Sequence, residues 1–200
     1  MKPTENLCLP LTEIDINPEL WAIGGKIGRA VSAQQTQITL KDSNQFPHQK
    51  QYPLKLEAWQ GFIPLIKNLK EQGFFLIEFN SPWNTSVLGV QKQNGEWSLV
   101  QDLCPINEAV IPLHPVVPKP YSLLSQIPEM AAWFTVLDLK DVFFYIPLAQ
   151  SSQFLFAFED ASDSSTQLTW TVLPQGFRDS PHLLGQVFTK DLAAFGQLNL

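Results

Sequence analysis

The sequence predicts an α+β fold, with strands and helices mixed and not regularly alternating. Three observations lead there. Asn94-Gly95 sits between two short runs, the strongest short-range signal for a hairpin. Apolar residues recur at helical spacing in 54–72 and again after Ser180-Pro181. Several short apolar runs elsewhere have strand length, and no internal repeat joins them.

Taken in order, residues 1–50 are polar and irregular, and Gly24-Gly25-Lys26-Ile27-Gly28 reads as a turn because no phosphate-loop Lys-Ser/Thr follows. In 54–72, Trp59, Phe62, Ile63, Ile66 and Leu69 fall on one helical face, with Gly73 placed as a C-terminal cap. Gly61 and Pro64 inside that pattern predict a kink. Ser81-Pro82-Trp83-Asn84 breaks the chain, and 86–92 and 96–102 form the hairpin strands.

The prolines at 105, 112, 115, 118, 120 and 128 make 104–128 extended. Pro115-Val116-Val117-Pro118 fits either a connecting strap or a proline-rich ligand. Residues 133–139 read as a buried strand ending in acidic residues. Further strands are expected at 153–158 and 167–172, joined by the loop 159–165. Ser180 then caps a helix with Pro181 at its first position, and Leu183, Leu184, Val187, Phe188, Leu192 and Phe195 form its apolar face up to Gly196.

Composition narrows the function classes. The 200 residues are 44% hydrophobic and 16% charged, which excludes a wholly disordered chain. No apolar run approaches the length of a membrane span; Phe74-Phe75-Leu76-Ile77 is one of several short ones, and the longest have five residues, as in Phe154-Leu155-Phe156-Ala157-Phe158. The N-terminus lacks signal-peptide character, and two cysteines, Cys8 and Cys104, suit a reducing compartment. An intracellular, cytoplasmic protein without membrane contact is therefore expected. The net charge of −6 opposes avid nucleic-acid binding by general electrostatics.

Few residues offer chemistry. His48, His114 and His182 have no paired spacing, so zinc is not indicated. Asp138 and Asp141 end the apolar run, where a buried carboxylate needs a cation or donors. They fit a metal site or a cap on the next helical turn, and a Mg²⁺ site would need further carboxylates converging from elsewhere. Leu173-Pro174-Gln175-Gly176-Phe177 is a turn feeding a helix. Gln175 there could hold a base or sugar and Arg178 a phosphate, or the segment could be an ordinary joint.

A collinear series of blocks goes further. Gln51-Tyr52-Pro53-Leu54, Ser81-Pro82-Trp83-Asn84-Thr85, Val100-Gln101-Asp102-Leu103, Ile106-Asn107, His114-Pro115 and Pro120-Tyr121-Ser122-Leu123-Leu124 come first. Val136-Leu137-Asp138-Leu139-Lys140-Asp141, Leu155-Phe156-Ala157-Phe158, Leu168-Thr169-Trp170 and Leu173-Pro174-Gln175-Gly176-Phe177 follow. From about residue 18 to about 195 the chain resembles the reverse transcriptases of gamma-type retroviruses and related endogenous retroviruses.

The resemblance implies a right-hand polymerase fragment of fingers and incomplete palm, with a mixed, mainly antiparallel sheet. It divides the chain into an N-terminal arm (1–50), fingers (51–111), a palm segment with Asp138 (112–146), fingers return strands (147–176) and a truncated palm helix (177–200). It implies that Asp138, with the backbone carbonyl of Leu139, binds Mg²⁺ for two-metal nucleotidyl transfer on an RNA or DNA template–primer and dNTP. It makes Phe143 the steric gate against ribonucleotides, Gln175 a contact of the incoming nucleotide and Lys92 a contact of its triphosphate.

The departures are as specific. Ser98 and Cys104 stand where the family carries arginines, Gln91 where it carries the first lysine of a pair, and Val142 where it carries a small residue. Serine supplies neither charge nor a bidentate fork. The Tyr-x-Asp-Asp hairpin with the remaining metal carboxylates is expected after Leu200. The chain alone is therefore expected to be inactive, with an unpaired edge on the strand before Asp138 and a tendency to aggregate. A non-catalytic module binding an RNA–DNA duplex or a polymerase, and a decayed reading frame, are the alternatives.

Overall fold

The computed structural model describes residues 28, 30, 32–78, 80–93, 95–113, 121, 125, 127–132, 138–160 and 163–198. Helix α1 (Leu56–Glu71) opens the ordered succession. Strands β1 (Phe75–Glu78), β2 (Val87–Gln91) and β3 (Trp97–Gln101) follow, then helix α2 (Cys104–Ala109). A 3₁₀ turn at Val142–Tyr145, a helical turn at Gln150–Gln153 and a second 3₁₀ turn at Phe154–Phe156 lead into β4 (Phe158–Asp160) and β5 (Asp163–Trp170). Helix α3 (Ser180–Leu198) comes last.

Among the described residues, the strands form two antiparallel sheets. One has the order β1-β5-β4, with Phe75 opposite Trp170 and Phe158 opposite Leu168. The other is the β2–β3 hairpin, with Leu88 opposite Val100. Mixed helix and antiparallel sheet agree with the α+β expectation.

The α1 boundaries lie within two residues of those expected, and the helix runs unbroken through Pro64. Gly73 takes φ 77°, and its N–H donates to the Lys70 carbonyl (2.9 Å) while that of Phe74 donates to Leu69 (2.9 Å). This left-handed close is one that glycine adopts freely. The buried face consists of Ala58, Phe62, Ile66 and Leu69, whereas Trp59 and Ile63 are exposed on its flank. The apolar stripe is thus narrower than the sequence pattern and turned toward Ala58.

The core joins α1 to both sheets. Phe62, Phe74, Trp83, Ile106, Phe156, Phe158 and Leu168 are among its fully buried members. Phe75 meets Phe158 and Trp170 edge-on at centroid separations of 5.3 and 4.3 Å, and Phe144 stacks on Trp170 at 5.1 Å. The segment before α1 lies against this core through bridges Thr36–Leu148, Leu40–Val110 and His48–Asn84.

Four expectations change. Residues 153–156 are helical and 3₁₀, not strand, so only Phe158 of that run enters a strand. The expected loop 159–165 is largely hairpin: Glu159 pairs with Gln167 and Asp160 with Asp163. The 104–113 stretch is not uniformly extended, because Pro105 occupies the start of α2, where its missing N–H costs nothing. Ser180 is not the cap of α3. Its hydroxyl donates back to the Pro174 carbonyl (3.4 Å), and Asp179 precedes the helix and is buried. The Gly24-Gly25 turn, the segment 114–120 with its Pro-Val-Val-Pro and residues 133–137 of the expected acidic-ended strand, with its edge, lie outside the described residues.

Candidate nucleotide site

An open cleft of about 560 Å³ lies between α1, the tip of the β2–β3 hairpin and the turns at Lys140–Asp141 and Gln175. Lys92, Ser98, Lys140, Asp141 and Gln175 bring polar groups to it, and Trp97, Phe144 and Trp170 bring aromatic surface. Hairpin geometry positions Lys92. Its N–H donates to the Glu96 carbonyl (2.8 Å), and Gly95 closes the turn at φ 85°. A strand–turn–helix joint positions Gln175, followed by Gly176 at φ 91°. That joint is anchored by the buried side chains of Leu173 and Phe177 on either side.

Asp141 supplies a further turn at the cleft. It adopts the left-handed region, φ 51° and ψ 35°, which aspartate tolerates better than most side chains. Its carboxylate does not cap the 3₁₀ turn that follows. Oδ1 instead accepts a hydrogen bond from Gln175 Nε2 at 3.1 Å, so the capping alternative gives way to a contact across the cleft.

Asp138 and Leu139 are both exposed, three and two residues before Asp141. An exposed carboxylate keeps its hydration, so the desolvation argument for a cation at Asp138 does not hold here. Among the described residues, no three His, Cys, Asp or Glu side chains gather around one point. The described donor set therefore does not by itself fit a Mg²⁺ ion, which requires near-octahedral oxygen coordination. Neither Asp138 nor Phe143 lines the cleft. Phe143 is half-buried and packs against the core.

Arg178, a sequence-level candidate for phosphate, is engaged within the chain. Nε meets Asp179 Oδ1 at 3.2 Å and Nη2 donates to the Val110 carbonyl at 3.4 Å. Of the positions departing from the resemblance, Ser98 lines the cleft, while Gln91 donates to the Gly95 carbonyl (3.3 Å) inside the hairpin. Cys104 is exposed at the start of α2. A hydrogen bond with Asp102 and the charges of Asp102 and Glu108 hold its thiol above the usual range, which makes it a poor nucleophile.

Lys140 was not singled out by sequence reasoning. Its only signal is adjacency to Asp141, and placement in the cleft depends on the left-handed turn there. The helices described are none of them long and apolar enough to cross a membrane.

Comparisons with known proteins place the chain among relatives. A family model described as Reverse transcriptase (RNA-dependent DNA polymerase) matches residues 90–196, from the hairpin through α3. The Gag-Pol polyprotein of feline leukemia virus is 45% identical over 182 residues, 89% of this chain and 11% of that protein. That of koala retrovirus is 42% identical over 190 residues, 93% of the chain and 11% of the polyprotein. That of avian reticuloendotheliosis virus is 43% identical over 182 residues, 89% and 16% respectively. The chain thus spans 11–16% of these relatives' lengths and corresponds to a reverse-transcriptase segment of retroviral Gag-Pol. The family works on nucleic-acid template–primers and with divalent metal ions. With more than half of its residues matched and relatives of this kind beside it, the chain belongs to the reverse transcriptase (RNA-dependent DNA polymerase) family.

Proposed function

We propose that the cleft receives the incoming deoxynucleotide of an RNA-directed DNA polymerase, this chain supplying the fingers and first palm segment of a right-hand fold. One observation supports this reading above the others. Lys92 on the hairpin and Gln175 beyond β5, distant in sequence, line the same cleft. The Lys92 ammonium can donate charge-assisted hydrogen bonds to phosphate oxygens, as a mobile point charge and not a planar fork. The Gln175 carboxamide, oriented by Asp141, can donate to or accept from a sugar or base. Phe143 is proposed as the gate against a 2′-hydroxyl on the resemblance alone, since its side chain packs against the core and does not line the cleft.

Asp138 and the Leu139 carbonyl are the ligands that this chain would bring to a divalent ion, Mg²⁺ in our reading. The remaining ligands must come from outside the described residues. The 200 residues contain no Tyr-x-Asp-Asp sequence. In primer extension with an RNA template, a DNA primer and Mg²⁺, the chain alone is expected to add no nucleotide; extension that disappears in Asp138→Asn would overturn that expectation.

Nucleotide binding tests the cleft directly. Titration with dTTP, Mg²⁺ and a primer–template, followed by tryptophan emission because Trp97 and Trp170 line the cleft, should saturate. Lys92→Ala and Gln175→Ala should each weaken binding about tenfold, the loss of one hydrogen bond or contact charge. Absent saturation, or affinity in both variants unchanged from that of the parent chain, would refute the nucleotide reading.

A further inference from the structure

Asn107, in α2, touches the Gln175 turn at two points. Its Nδ2 donates to the Gly176 carbonyl at 3.1 Å, and its Oδ1 accepts from the Arg178 N–H at 2.9 Å. The two bonds bracket Phe177 and grip the turn at the residue after Gln175 and two beyond it. A carboxamide is suited to this, because one planar group offers a donor and an acceptor side by side. The pairing also fixes which atom is oxygen, since the reverse orientation would set N–H against N–H.

The rest of the neighbourhood explains why such a grip has work to do. Gly176 sits at φ 91°, with the Leu103 side chain 3.7 Å from where a Cβ would lie. Gln175 itself is exposed, and among its described interactions only the bond to Asp141 reaches its side chain. The turn is therefore defined by what holds its backbone. Asn107 in turn is fixed by its own helix, its N–H donating to the Leu103 carbonyl at 2.8 Å.

We propose that Asn107 is a positioning residue for nucleotide binding: through its two bonds to the 176–178 backbone it sets the direction in which Gln175 enters the cleft. This rests on the nucleotide reading of Gln175, and the two can fail separately. Asn107→Asp keeps the size and the acceptor toward Arg178 but replaces the donor toward Gly176 with an oxygen facing an oxygen. Asn107→Ala removes both bonds.

The test has two readouts on the 200-residue chain. In ¹H–¹⁵N spectra, Asn107→Asp is expected to shift the Gln175 side-chain amide and the backbone amides of 175–178 while leaving Lys92 and the hairpin in place. Unmoved Gln175 signals would overturn the inference. The second readout is the dTTP titration as a double-mutant cycle. Asn107→Ala should weaken binding about tenfold in the parent chain and by less than twofold when Gln175 is already alanine. A full tenfold loss in both backgrounds would mean that Asn107 acts by general destabilisation, and would overturn the proposal. If Gln175→Ala alone leaves affinity intact, the nucleotide reading falls, and any part of Asn107 in it falls too. Should Asn107→Ala not fold, Asn107→Asp carries both readouts.

Discussion

At the scale of the residue, two glycines record how closely α1 and the hairpin approach. A Cβ on Gly61 would lie 2.3 Å from the Trp97 ring, and one on Gly89 would lie 2.8 Å from Phe62. Each element thus offers a bare backbone position to an aromatic ring of the other, and the rings themselves meet edge-on at 6.4 Å. The sequence pattern made Gly61 a helix-weakening residue, and by propensity Gly61→Ala would gain up to about 1 kcal/mol. The steric term opposes it, because the Trp97 ring must leave its seat at a cost of about 1–3 kcal/mol. Gly61→Ala is expected to lower the urea midpoint, with the slope unchanged. A higher midpoint would show that the ring moves away freely.

At the scale of the element, one buried glutamine ties the hairpin to the three-stranded sheet. Gln101, at the end of β3, donates through Nε2 to Thr85 Oγ1 (2.7 Å) and to the Phe156 carbonyl (3.0 Å). Its Oε1 accepts from Trp170 Nε1 at 2.7 Å, so both ends of the carboxamide are satisfied out of water. Gln101→Leu would keep the volume and strand the Trp170 N–H. A loss of about 2–4 kcal/mol in urea unfolding is expected, the cost of unpaired buried polar groups. An unchanged midpoint would mean that water reaches the gap. This tie also marks what was legible in the sequence. Helix α1, the hairpin, the second half of β5 and α3 follow from periodicity and from Asn94-Gly95, because those signals are local. The 3₁₀ turn at Phe154–Phe156 has the apolar density of a strand, and β4 has the polarity of a loop, so pattern misassigned both. Gln101 reads as a polar strand end, and only the packing of Trp170 and Thr85 around it shows it to be buried. In the candidate site, Lys92 and Gln175 were reachable through family resemblance. Lys140 and Asn107 stand inside the matched blocks, but their parts in the site were not legible, since they depend on a left-handed turn and a long-range contact that spacing does not encode.

At the scale of the whole molecule, charge governs how a nucleic-acid partner would be held. The chain carries −6 overall, and residues 74–135 include Lys92 and Lys119 against Glu78, Glu96, Asp102, Glu108 and Glu129. The cleft has two ammonium groups, Lys92 and Lys140, with Asp141 and Glu96 beside them. Ser98 lines it where the resemblance places an arginine, and Arg178, which could have compensated, is spent on Asp179 and Val110. Affinity for phosphate backbones comes largely from counterions released by Lys and Arg, and the salt dependence counts them at roughly −0.9 per duplex phosphate neutralised. Two lysines thus predict a slope of log affinity against log salt no steeper than about −2 for an RNA–DNA duplex. Restoring the missing cation should steepen it: Ser98→Arg, beside the cleft and away from the buried core, is expected to add about −1 and to tighten binding at low salt. Fluorescence anisotropy of a labelled primer–template over a salt series measures both. A parent slope of −4 or steeper would mean that cations outside the cleft hold the duplex, and that the acidic surface does not set the affinity.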